Sequence, residues 1–83
     1  MNSEREEQLE NGLEKLLIER LKRPFLYPIS DVKLMIRVYL QENNVSTKSI
    51  TKDRIDSLYD AMKTRGILGD RSYGESPLCW LKV

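Results

Sequence analysis

Histidine is absent from this chain, and cysteine occurs once, at Cys79. With one cysteine no disulfide can close within the chain, and zinc sites assembled from Cys and His are excluded. The missing imidazole also removes the commonest general base and every Ser–His or Cys–His pair. Glycine-rich phosphate cradles, metal-binding loops and nucleophile elbows are lacking too. No catalytic residue, cofactor or metal site is therefore expected, and the chain does not read as an enzyme. No apolar run approaches the roughly 20 residues that span a bilayer. The opening Met1-Asn2-Ser3-Glu4-Arg5-Glu6-Glu7 is acidic and reads as neither a signal nor a transit peptide. The expected location is the cytoplasm, or the nucleus in a eukaryotic host. Asn44-Val45-Ser46 matches the glycosylation pattern, but without a secretory signal it reads as chance.

What is present fits one small globular domain: 83 residues, 40% hydrophobic and 33% charged. The formal net charge of +1 hides an asymmetry. Residues 1–19 carry six acids against two bases, whereas residues 20–83 carry twelve bases against seven acids. A modestly basic body behind an acidic leader permits nucleic-acid binding without requiring it.

Leu9, Leu13, Leu16, Leu17 and Leu21 recur at helical spacing, which predicts a first helix over about 4–22. Ser3 with Glu6 makes a capping-box pattern at its start. Arg20, Lys22 and Arg23 complement the dipole at its end, with a phosphate clamp as the sharper alternative. Ile18 lies off the stripe, either as a lone exposed residue or as a dimer contact. Pro24 stops the helix, and Phe25-Leu26-Tyr27 is an extended piece able to pair with a later hairpin. Ser30 is the expected N-cap of a second helix over about 31–42. Apolar residues cover most of that helix, leaving Lys33, Arg37 and Gln41 as a polar stripe, so it must be covered on more than one side. Thr51 caps a third helix over about 52–65, whose Ile55, Leu58, Tyr59 and Met62 share a buried face. Gly66 suits the left-handed position that closes it. Residues 67–83 read as strand, turn-rich loop, strand. Trp80 alternates with aliphatics there and is expected in the core, and Cys79 reads as a small buried apolar residue rather than a reactive thiol.

The fold class is thus mainly α with a small β-hairpin: three helices plus a two- or three-stranded antiparallel sheet. This order resembles the winged-helix (winged helix-turn-helix) family. The most telling stretch runs from Arg54 through Ala61 and Met62 to Arg65-Gly66-Ile67-Leu68, similar to a recognition helix that ends on glycine and enters a wing strand. The resemblance implies binding to double-stranded DNA, with the third helix in the major groove and the hairpin as wing. It would place Lys48, Thr51, Lys52, Arg54 and Ser57 at the groove, and Arg71 and Tyr73 at the wing tip. Arg and Lys neutralise phosphates or donate to guanine edges, and Ser and Thr hydrogen-bond to either.

One departure opposes it. With Tyr59 and its apolar neighbours inward, the outward ridge is Asp53, Ser57, Asp60 and Thr64, with Asp56 on a shoulder. Carboxylates there repel a polyanion. The connection from Asn43 to Ile50 also exceeds the three- or four-residue turn of a compact helix-turn-helix. Two readings follow. The first is a small DNA-binding transcriptional or replication regulator, a homodimer through the first helix, of a size that suits a phage, plasmid or archaeal-virus regulator. The second is a protein-interaction adaptor using Asp53, Asp56, Asp60 and the acidic leader. In the bland version of both, the glutamates of the leader form a solvated helix face.

Overall fold

The computed structural model describes residues 3–71 and 74–83. The Ser3 side chain and Tyr73 lie outside what it describes.

The leucine stripe forms α1, Ser3–Arg20. Leu9, Leu13, Leu17 and Leu21 are buried, while Leu16 is only partly covered. The helix ends two residues earlier than the periodicity predicts. The Lys22 amide donates to the Tyr27 hydroxyl at 2.8 Å instead of to a helical carbonyl, so the chain turns before Pro24. Tyr27–Pro28 is a two-residue strand, β1, leading directly into α2, Ile29–Glu42. Ser30 is therefore not the cap. The capping residue is Pro28, with φ −58° and ψ 136°, and no side chain caps the helix. The Ile29 amide instead donates to the Pro77 carbonyl at 3.2 Å, so strand pairing moves the helix start forward.

Asn44, at φ 63°, turns the chain after α2, and a single 3-10 turn, Thr47–Ser49, fills the long connection. Thr51 caps α3, Lys52–Thr64, as expected: its Oγ1 accepts from the Arg54 amide at 3.1 Å. Gly66 has φ 79°, and the Ile67 amide donates back to the Met62 carbonyl at 3.1 Å. That is the six-to-one bond of a Schellman closure, which glycine permits at no steric cost.

Two further strands, β2 (Leu68–Arg71) and β3 (Leu78–Leu81), complete a three-stranded antiparallel sheet in the order β1-β3-β2. Tyr27 lies opposite Cys79 and Gly69 opposite Trp80. Of the piece Phe25-Leu26-Tyr27, Tyr27 thus pairs with the hairpin, together with Pro28. A mainly helical chain with a small antiparallel sheet has a winged-helix-like layout.

One core joins all of these elements: Leu13 and Leu17 from α1, Val32, Ile36 and Leu40 from α2, Leu58 and Met62 from α3, and Leu68, Cys79 and Leu81 from the sheet. Each such aliphatic side chain contributes about 1.5–3 kcal/mol by leaving water. Trp80 is a correction. Strand alternation turns Cys79 and Leu81 onto the helices, so Trp80 lies half-buried on the opposite face. There it covers Gly69, where a Cβ would meet the indole nitrogen at 2.7 Å. Val83 lies beyond β3 and is exposed. Among the described residues, no helix is long and apolar enough to cross a membrane.

Candidate functional site

The third helix turns its apolar face inward as its spacing predicts, with Ile55, Leu58, Tyr59 and Met62 buried. Asp53, Ser57, Asp60 and Thr64 consequently form its exposed ridge. The charges on its two flanks are drawn into the fold. On the α1 side, the Arg54 guanidinium grips Glu6 in a two-pronged pair, Nη1 donating to Oε2 at 2.9 Å and Nη2 to Oε1. Eleven residues on, Arg65 donates from Nη1 to Asn11 at 2.8 Å and Glu14 at 3.0 Å, and its Nη2 lies 3.2 Å from Glu10. The acidic leader is therefore not a purely solvated face. Glu6, Glu10 and Glu14 recur every fourth residue beside the leucine stripe, so α1 carries a row of carboxylates along α3.

On the other flank, Lys33 Nζ lies 2.9 Å from Asp56, and Lys63 Nζ lies 3.1 Å from Asp70 Oδ2. The same Asp70 oxygen accepts a 2.9 Å hydrogen bond from the Tyr59 hydroxyl. Both ammonium groups also approach the Tyr59 ring, Lys33 at 5.2 Å and Lys63 at 5.8 Å from its centroid. These are favourable contacts with the ring's negative face. Burial, followed by the hydrogen bond to Asp70, pushes the Tyr59 phenol well above its ordinary value. Burial likewise pushes the Cys79 thiol up, so this sulfur remains protonated at neutral pH. A protonated, fully covered thiol is not a nucleophile. Among the described residues, no group of three or more carboxylate or thiol side chains is gathered to hold a metal ion.

The residues that the winged-helix resemblance would put on DNA are scattered by these arrangements. Lys48, in the 3-10 turn, and Lys52, at the start of α3, are exposed and carry no ion pair among the described residues. Thr51 uses its oxygen for the cap, and Arg54 is held by Glu6. Ser57 sits on the ridge between Asp53 and Asp60, and Arg71 is half-buried at the end of β2. Of the acidic set, Asp56 is bound to Lys33, leaving Asp53 and Asp60 facing solvent with no ion pair among the described residues.

Two grooves escaped the reading of the sequence. Lys33 and Arg37 of α2 join Lys52 along a cleft of about 320 Å³ between α2 and α3, floored by Ile50 and Ile55. The polar stripe on α2 was visible, but only packing turns it toward the start of α3. On the opposite flank of α2, Leu16 and Arg20 of α1 with Leu34, Met35, Val38 and Glu42 line a cleft of about 300 Å³. Leu34 is 59% exposed and Val38 43%. On α1, Leu9 is buried in the chain's own core, whereas Ile18, off the leucine stripe, is exposed. Comparison with known proteins returns no relative: no protein-family model, no curated protein and no solved structure matches the chain.

Proposed function

We propose that this chain is a protein-interaction module on a winged-helix-like fold, and that it captures a basic segment of a partner protein on the outward ridge of α3. The division of charge on that helix carries this reading. Arg54, Lys63 and Arg65 are tied inward to carboxylates of the same chain, and Lys52, exposed at the helix start, lines the cleft toward α2, while Asp53 and Asp60 point outward without an ion pair among the described residues. A duplex approaching this ridge would meet two carboxylates at short range, and Arg54 would have to leave a two-pronged partner before reaching a phosphate. A lysine- or arginine-rich peptide meets the opposite situation. The test is fluorescence anisotropy with a labelled arginine-rich peptide and a labelled short duplex, both at low salt. The peptide binds the parent, weakens as salt rises, and is lost from Asp53→Lys/Asp60→Lys, while the duplex does not bind. Duplex binding by the parent, with no peptide binding, would reject the proposal.

The cleft between α2 and α3 favours a second reading, a small DNA-binding regulator. Lys33, Arg37 and Lys52 line it against one acid, Asp56, which Lys33 already neutralises. In this reading the duplex lies along the α2 flank of α3 rather than on its ridge. Arg37→Ala and Lys52→Ala would each weaken duplex binding and flatten its salt dependence, whereas neither would affect capture of the basic peptide.

A further inference from the structure

We propose that α2 is a self-association seam, on which a second copy of this chain docks with the two α2 helices parallel about a two-fold axis. α2 is apolar on most of its circumference, yet its own fold covers only one side of it. Val32, Ile36, Tyr39 and Leu40 are buried, while Leu34 and Val38 stand 59% and 43% exposed, with Met35 and Leu16 half-covered beside them. Leu34 and Val38 are four residues apart on the side opposite the core. With Asp31 and Gln41 they occupy the successive a and d positions of two heptads. Leu34 and Val38 thus form a short exposed apolar strip, one helical turn long, framed by charge.

The charges flanking the strip select both the occupant and its orientation. The edge of α2 toward α3 is basic, with Arg37 in the cleft shared with Lys33 and Lys52. Its edge toward α1 carries Glu42. A two-fold axis perpendicular to the helices would make them antiparallel and bring like edges together. An axis parallel to them brings the basic edge of one copy onto the Glu42 edge of the other. In heptad terms Arg37 is then a g residue, and the e residue five positions on is the partner's Glu42, the pairing that fixes register in parallel coiled coils. Arg20 lines the same cleft as Asp31 and supplies a counter-charge where the two Asp31 carboxylates draw near. The surface is self-complementary, so it needs no foreign partner. With two apolar positions per copy, the association is expected at the weak, reversible end of the range.

The experiment is sedimentation equilibrium of the full chain over a concentration series. The parent is expected to show a monomer–dimer equilibrium. Arg37→Glu and Glu42→Arg are each expected to raise the dissociation constant at least fivefold, and the double variant Arg37→Glu/Glu42→Arg to restore it to within about twofold of the parent. Both positions are exposed, and circular dichroism of each variant is the check that it folds. Orientation is read by oxidising Val38→Cys in a Cys79→Ala background. In the parallel arrangement identical a positions meet, and a disulfide-linked dimer forms. A parent that stays monomeric into the millimolar range overturns the proposal. So does a dimer that ignores both charge reversals, or one in which Val38→Cys fails to cross-link.

Discussion

The hydroxyl of Tyr39 donates a 2.8 Å hydrogen bond to the carbonyl oxygen of Leu9, thirty residues earlier in the chain. The bond is buried and joins α2 to α1 at the point where Gly12 leaves room for it. A Cβ at Gly12 would collide with the same hydroxyl. Gly12 therefore serves close approach inside a helix, where glycine costs about 1 kcal/mol relative to alanine. Gly12→Ala is expected to destabilise the chain by about 1–3 kcal/mol despite its better helix propensity, because the ring must shift. Tyr39→Phe alone loses about 1 kcal/mol. The double variant should recover part of the Gly12→Ala loss, since the colliding oxygen is gone. Urea denaturation of the four chains gives the coupling, and simple additivity would refute the contact.

The carboxylate row of α1 holds α3 by partly exposed pairs, each worth less than about 1 kcal/mol after solvent screening. Glu6→Gln, which releases Arg54, is expected to lower stability by no more than that, and the effect should shrink at high salt. Combining Glu6→Gln, Glu10→Gln and Glu14→Gln frees Arg54 and Arg65 together. If α3 avoids nucleic acid because Arg54 and Arg65 are occupied, the triple variant gains duplex affinity at low salt relative to the parent. Gel-shift assays on matched samples check this. Unchanged affinity would place the obstacle in Asp53 and Asp60 instead.

Trp80 reports on the sheet. Its indole covers Gly69 on the face away from the helices. Gly69→Ala is expected to push the ring outward, shifting tryptophan emission to the red and lowering stability by about 1–2 kcal/mol. Because Trp80 is the chain's one tryptophan, the emission spectrum assigns the change without ambiguity. An unshifted spectrum would mean that the indole does not rest there.

Alkaline pH should weaken the fold in a defined window. Burial raises the Cys79 thiol above its ordinary 9.0, and it raises the Tyr39 and Tyr59 phenols above their ordinary 10.0. Above about pH 9 the unfolded chain releases protons that the native chain retains, so unfolding becomes easier as pH rises. These three groups contribute no slope below that range, where both states hold their protons. Chemical denaturation at pH 8 and at pH 10.5 should show the loss, and Cys79→Ala should remove the part that begins nearest pH 9. A flat profile across the window would contradict the burial of these groups.

Periodicity and local chemistry made most of the scaffold legible. The leucine spacing of α1, the Thr51 cap and the Gly66 closure are local features, each decided within a few residues, and each is found where the sequence puts it. The inward face of α3 followed from Ile55, Leu58, Tyr59 and Met62 alone, and with it the outward position of Asp53 and Asp60. Ser30 is a good cap in isolation, yet α2 starts at Ile29. The actual start is set by strand pairing and by the Pro77 carbonyl, forty-eight residues from Ile29 along the chain.

The sequence by itself determined which residues repel water and where the chain must turn, because hydrophobic spacing, proline and glycine act over one or two helical turns. It could not say which charge would meet which. Arg54 has Glu6 as its partner, and Arg65 has Glu10 and Glu14, across sequence separations that no local rule spans. Only the packing of α1 beside α3 made those cations internal ties and left Asp53 and Asp60 to the solvent. The same packing left Leu34 and Val38 uncovered on α2. An apolar residue states that it avoids water, whereas the direction from which it is sheltered depends on how three helices settle around one core.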